Sequence, residues 1–235
     1  KYYDDSVANL GFMYENVADF SSSAMYYEKL FKLDKEHKSA KEAIYSAALF
    51  RRALEEPKQA IVNYKAFITT FPSDERVNDV KIEIAKILED HEKWPEAAKV
   101  YQNYYSSPEG KSADTVFFAK LHYGMALEKM GQTSKAVAQD KKLVADFQAA
   151  KASGVEMELA VEFAAQVMLK QTRPRLNSAL ALKIDGPRSP VSAKQEGEIL
   201  KDQLVAKANA VKEVEAEYLK IIQTGAGEYG LAALV

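Results

Sequence analysis

The sequence contains no cysteine. This excludes disulfides, thiolate metal sites and cysteine nucleophiles, and it leaves the compartment open. Glycine (10 residues) and proline (7 residues) are sparse, so long uninterrupted helices are allowed. No apolar run approaches the roughly 18–20 residues that cross a bilayer. Neither sign of charge is in excess: 32 basic residues face 34 acidic ones, for a net charge of −2. Such a balance lacks the basic stripe of a nucleic-acid-binding surface. Histidine is scarce, and His37, His91 and His122 stand too far apart for a paired metal motif. His37 and His91 are expected in solvent near turns, and His122 on a helix beside core positions, where it can face a groove. No signal-peptide pattern opens the chain at Lys1, and residues 231–235 are apolar without a stop signal, so both ends read as edges of a longer protein.

What is present is a repeat of 37 to 39 residues. Small residues recur at Ser23, Ala60, Ala97 and Ala136. Four residues after the first three stands a tyrosine, Tyr27, Tyr64 and Tyr101, and Asp140 breaks the series. Seven residues after each small residue comes a large one: Leu30, Phe67, Tyr104 and Leu143. Spacings of four and seven place all three on one helical face. An earlier helix precedes each, marked by Val7, Leu10, Gly11 and Tyr14; by Ile44, Ala47 and Ala48; by Ile84, Ala85 and Leu88; and by Tyr123, Gly124 and Leu127. Short turns join the pairs around Ala18-Asp19, Glu55-Glu56, Glu92-Lys93 and Gly131-Gln132. One helical hairpin cannot bury its own apolar face, so hairpins of this kind stack. The small residues allow close approach and the aromatics fill the gaps between helices.

These residues resemble the tetratricopeptide repeat (TPR) family. The match reads Leu10-Gly11, Tyr14, Asp19-Phe20, Tyr26-Tyr27-Glu28-Lys29 and Leu33-Asp34 in the first repeat. It reads Ala60, Tyr64, Phe67 and Phe71-Pro72 in the second, and Trp94, Glu96-Ala97-Ala98 and Tyr101 in the third. The fourth keeps Tyr123-Gly124, Leu127, Gly131 and Ala136. The resemblance covers about residues 4–150. It implies an all-α fold, a right-handed superhelical solenoid of TPR-like helical hairpins, with four hairpins in residues 1–150. Departures are Ser23 for the usual alanine and Arg51 where an aromatic is common.

Residues 151–235 read as a fifth, irregular hairpin. Met157, Ala160, Val161, Ala164, Val167 and Met168 form a helical stripe between Gly154 and Lys170. Thr172-Arg173-Pro174-Arg175 and Asp185-Gly186-Pro187-Arg188-Ser189-Pro190 are breaker signals, so an insertion is expected over about 171–191, with 176–184 either a short helix or extended. One long helix is expected over about 192–224, from Ile199, Leu200, Leu204, Ala208, Val211, Val214, Tyr218 and Ile221-Ile222, and a further helix from about Glu228. Arg173, Arg175, Lys183 and Arg188 make the insertion basic, and two readings stand: a docking element or a plain connector.

Signals of chemistry are weak. Gly225-Ala226-Gly227-Glu228-Tyr229-Gly230 has the spacing of a dinucleotide loop but lacks the preceding strand that such a loop requires, and it reads as a break between helices. Glu158/Glu162 and Glu213/Glu217 are spaced like solvated helix faces rather than a held acid–base pair. No catalytic residues, metal ligands or cofactor are assigned. In the TPR architecture the first helix of each hairpin lines the concave surface, which picks Ala8, Phe12 and Glu15; Tyr45, Leu49 and Arg52; Ile82, Lys86 and Glu89; and Leu121, Met125 and Glu128. The expected groove residues are Phe12, Tyr45, Leu49, Arg52, Lys86, Leu121, His122 and Met125, apolar anchors with a charged rim. The resemblance implies a non-catalytic scaffold that binds other proteins or peptide segments. The pattern Tyr64, Phe67, Phe71-Pro72 and the spacing look like bacterial envelope TPR proteins, such as β-barrel assembly lipoproteins and the Tol–Pal coordinator. That favours a periplasmic or outer-membrane-associated place, with membrane attachment through a segment beyond this chain and a cytoplasmic place as the alternative. A scaffolding part of an enzyme whose catalytic domain lies elsewhere is the competing reading.

Overall fold

Eleven α-helices and no strand make up the described residues, 2–107 and 110–232, of the computed structural model. They are α1 (Tyr2–Asn16), α2 (Phe20–Leu33), α3 (Ala40–Ala53), α4 (Pro57–Thr70), α5 (Val77–Asp90), α6 (Trp94–Tyr105), α7 (Ala113–Lys129), α8 (Thr133–Ala152), α9 (Ala160–Ala181), α10 (Ala193–Ile222) and α11 (Gly227–Ala232). Two compact units divide them. The first is Lys1–Lys111 with Met125–Thr133, and the second is Ser112–Gly124 with Ser134–Val235.

In the first unit, α1/α2, α3/α4 and α5/α6 are hairpins of the TPR type. Their turns are built alike. Ala18, Glu55 and Glu92 each adopt positive φ (58°, 58° and 56°), and Gly131 follows at 72°. The amide after each of these residues donates back to Tyr14, Arg51, Leu88 and Leu127, which satisfies the last carbonyls of the first helix. Glycine takes this conformation freely, whereas alanine and glutamate do so at a cost. The second helices open on the side chain of Asp19, which accepts from the Ser22 amide at 3.1 Å, or on an early proline, Pro57 or Pro95.

The repeated small residues lie in the core as their spacing predicts. Ser23, Ala60 and Ala97 are fully buried beside Tyr27, Tyr64 and Tyr101. The Ser23 hydroxyl donates to the Gly11 carbonyl at 2.9 Å, which explains a serine where alanine is usual. A Cβ on Gly11 would come within 2.5 Å of the Tyr27 ring, so glycine is the residue that lets this contact close. One cluster joins Phe31 of α2, Ala40, Ile44 and Ala48 of α3, Tyr64 and Phe67 of α4, and Val80, Ile84 and Ile87 of α5. Leu10, expected on the packing face of α1, lies at its exposed rim.

Arg76, at the N-terminus of α5, ties its hairpin to the preceding one. Its guanidinium donates to both Glu42 oxygens at 2.8 Å and to Asp74 at 2.9 Å, and it lies over the rings of Tyr45 and Phe67 at 4.5 and 5.1 Å. Arg51, the departure from an aromatic, holds Glu28 of α2 and Glu56 in one buried-edge network that Asn63 completes.

In the second unit, Ala136, Asp140, Leu143 and Phe147 form the buried face of α8. Asp140 stands where the other hairpins carry tyrosine, and Lys170 of α9 donates to it at 2.7 Å. The N-terminus of α9 is capped from a distance: the Asp114 carboxylate accepts from the amides of Glu158, Leu159 and Ala160, the last at 2.8 Å. Helix α9 begins at Ala160, not near Gly154, and continues to Ala181. The break expected at Thr172–Pro174 is therefore helix. Proline at position 174 lacks the amide for one helical hydrogen bond, and packing of Thr172 and Ala179 on their buried face holds the helix through it. The non-helical connection shrinks to residues 182–192. Helix α10 opens on a capping box in which Ser192 and Gln195 exchange hydrogen bonds, close to its expected start. Helix α11 begins at Gly227, and of the apolar end, residues 233–235 lie outside the described residues.

Candidate functional site

The face that α1, α3 and α5 leave unused in hairpin packing is the candidate partner surface of the first unit. Its residues divide into three groups. Phe12 (59% exposed) and Leu49 (39% exposed) offer large apolar side chains to solvent. Arg52 and Lys86 both pair with Glu83, which links α3 to α5; the Lys86 distance is 3.0 Å. Tyr45 is half-buried: its ring packs on Tyr64 and Phe67 at 6.3 and 5.4 Å and carries Arg76 above it. Tyr45 is thus a packing residue as much as a groove residue, and Ile82 is buried.

The remaining positions on this face form a column that the groove assignment missed. The Tyr27 hydroxyl donates to Glu15 at 2.6 Å, and the Tyr101 hydroxyl donates to Glu89 at 2.6 Å. Arg52 occupies the matching position in the hairpin between them. The Tyr64 hydroxyl is buried and has no hydrogen-bond partner among the described residues. Burial pushes the Tyr64 hydroxyl pKa up to about 12, with Tyr45 adding to the rise and Arg52 opposing it. Burial first, then the hydrogen bond to the glutamate, raises the pKa of Tyr27 and Tyr101 still further. The signal was present in the sequence, since Glu15, Arg52 and Glu89 share the spacing of the three tyrosines.

Met125 is half-buried in the first unit. In the second unit Leu121 is buried, which makes it core rather than an anchor, because its side chain has no solvent face to present. His122 is half-buried and stacks on the Phe118 ring at 4.0 Å, an aromatic contact. His37 is not in solvent as expected: its Nε2 meets Asp5 at 3.1 Å, and its Nδ1 accepts from the Ser39 amide.

Of the four basic residues expected in an insertion, Arg173 and Arg175 lie on α9 instead, and Arg175 pairs with Glu217 of α10. Lys183 and Arg188 lie in the connection 182–192 and are exposed. A cavity of about 430 Å³ between α9 and α10 is lined by Pro174, Leu182, Val214 and Glu217 among others. Among the described residues no three His, Asp or Glu side chains converge as metal ligands do, and no helix is long and apolar enough to cross a membrane.

No protein-family model matches this sequence, and no curated protein matches it. Several solved structures are similar to it. One is described as YrrB, a TPR protein with an unusual peptide-binding site (17% identity, TM-score 0.42, covering 87% of this chain and 84% of that one). Another is pilF of Pseudomonas aeruginosa (14% identity, TM-score 0.41, covering 97% and 95%). A third is PilW, described as a widely conserved type IV pilus biogenesis factor (15% identity, TM-score 0.39, covering 100% of each chain).

Proposed function

We propose that this protein is a non-catalytic scaffold that holds a segment of another protein against the first helices of its N-terminal hairpins. The observation that carries this reading is the exposure of Phe12 and Leu49 on α1 and α3, on the face that hairpin packing leaves free. Around them Arg52, Glu83 and Lys86 form a charged edge able to exchange partners with an incoming chain. Apolar anchors inside a charged rim are the usual form of peptide recognition on helical surfaces.

Site-directed photocrosslinking in cells tests it. A photoreactive residue at Phe12 or Leu49 is expected to capture a defined partner that the same residue at Lys58 on α4 does not. Leu49→Ser with Phe12→Ser is expected to abolish that capture while the helical circular dichroism stays unchanged. Equal capture from both faces would refute the assignment. Tyr45 is unsuited to this test, because its removal would disturb the core it packs against.

A finer form of the proposal sets the scaffold in a bacterial cell-envelope assembly. Its support is the resemblance carried by Tyr64, Phe67, Phe71-Pro72 and the repeat spacing. Fractionation of the full-length protein in its own cells tests it, and recovery wholly in the cytoplasm would exclude it.

A further inference from the structure

The connection between α9 and α10 is ordered by its backbone while its apolar side chains face water. Gln203 of α10 grips Gly186 from both sides, accepting from its amide at 3.0 Å and donating to its carbonyl at 3.3 Å. Lys207 donates to the Leu182 carbonyl at 2.9 Å. Gly186, at φ 75°, lies against Leu200, where the strap passes close to the helix. The strap is thus fastened to α10 through main-chain groups. Yet Leu180, Leu182, Ile184 and Val191 are all exposed, Ile184 by 44%. A connector with no other role would carry polar side chains at these positions.

The charges around these residues are one-sided. Residues 173–194 contain Arg173, Arg175, Lys183, Arg188 and Lys194 against Asp185 alone, in a chain whose net charge is −2. Lys183, Arg188 and Lys194 are exposed and alternate with the aliphatic residues along the strap. Residues 176–194 include no aromatic residue and no methionine, the side chains that anchor protein interfaces. The cavity between α9 and α10 takes in Leu182 but not Ile184 or Val191. Aliphatic side chains interleaved with cations, without an anchor pocket, suit a fluid anionic surface rather than a shaped protein one. Aliphatic groups enter the headgroup–acyl boundary while lysine and arginine stay at the headgroups.

We propose that the strap 182–192 is a lipid-contact element that sets Leu182, Ile184 and Val191 into an anionic bilayer surface, with Lys183, Arg188 and Lys194 on its headgroups. This surface lies in the second unit and does not depend on the partner face proposed for the first.

The natural absence of cysteine makes a direct test available. Ile184→Cys carrying an environment-sensitive fluorophore is expected to shift to the blue on vesicles of phosphatidylglycerol and phosphatidylcholine. No shift is expected on pure phosphatidylcholine, nor for the same label at Lys58 on α4. In vesicle co-sedimentation, Lys183→Gln and Arg188→Gln are each expected to weaken partition about five-fold, the equivalent of about 1 kcal/mol per cation. Leu182→Ser with Ile184→Ser is expected to weaken it at least as much as either. All of these side chains are exposed, and unchanged urea unfolding of each variant would show that the fold is kept. No binding of the wild type to anionic vesicles overturns the proposal. So does loss with the charge variants but not with the serine variant, which would mean plain electrostatic adsorption. Binding of the strap to an acidic polypeptide such as polyglutamate with no vesicle binding also overturns it, in favour of a protein partner.

Discussion

Three tyrosines at one spacing sit in three different electrostatic settings. Tyr27 and Tyr101 donate to glutamates, whereas Tyr64 has its hydroxyl buried without a partner among the described residues. Removing a hydroxyl that binds a carboxylate forfeits a charge-assisted hydrogen bond, while removing an unpartnered one removes only a desolvation penalty. Tyr101→Phe is therefore expected to lower stability by about 1.5–3 kcal/mol. Tyr64→Phe is expected to be neutral or stabilising. Urea unfolding of both variants checks the contrast, and equal losses would show that Tyr64 is satisfied by something else, such as a trapped water. The hairpin turns offer a second comparison at this scale. Glu55 and Glu92 hold positive φ where Gly131 does so freely. Glu55→Gly is expected to stabilise by roughly 0.5–1 kcal/mol, the left-handed strain relieved less the added chain entropy of glycine. Thermal unfolding measures it, and a drop in melting temperature would contradict it.

At the scale of the element, helices here borrow their ends from one another. Helix α9 has no side-chain cap of its own, and Asp114 near the start of α7 supplies one to three of its amides. An ionised cap at a helix N-terminus also meets the favourable end of the helix dipole. Asp114→Ala is expected to cost about 1–2 kcal/mol and to speed amide exchange at Glu158, Leu159 and Ala160 before the rest of α9. Unchanged exchange at those three amides would show the contact to be incidental. The same borrowing fastens Arg76 of the third hairpin to Glu42, Tyr45 and Phe67 of the second, so the stacking contact is polar at its rim as well as apolar at its centre.

For the whole molecule, these carboxylate partnerships set how stability responds to acid. The Arg76 hydrogen bond, aided by the Arg76 amide and Lys41 and opposed by burial, holds Asp74 well below the usual carboxylate range. Burial pushes Glu28 upward, but the hydrogen bonds from Arg51 and Asn63 outweigh it and the net shift is down. Groups depressed in this way bind fewer protons folded than unfolded as pH falls below about 5, so stability falls with them. The contribution is complete above the ordinary carboxylate pKa of about 4 and is lost as pH drops through the depressed folded values. Arg76→Leu is expected to cost about 1–2 kcal/mol at pH 7, most of it through Asp74, since Glu42 is largely exposed. That cost is expected to shrink between about pH 5 and pH 2 in urea melts. A cost independent of pH would assign the role of Arg76 to its stacking on Tyr45 and Phe67 instead.

Period and residue size determined the hairpins. Ser23, Ala60 and Ala97 with their tyrosines lie where a spacing of 37 residues puts them, because helical geometry converts sequence distance into a shared face with few alternatives. The start of α10 at Ser192 was legible for the same kind of reason, a local capping signal. The end of α9 was not. Proline is a local breaker, and only tertiary burial of Thr172 and Ala179 shows that the helix passes through it. The site divides along the same line. Phe12 and Leu49 stand exposed as the repeat register predicts, whereas Leu121 is buried and Tyr45 is shared with the core. Long-range pairs such as Asp114 with the α9 amides, Arg76 with Glu42, and Gln203 with Gly186 leave no mark in local pattern, because each depends on which helices meet in space.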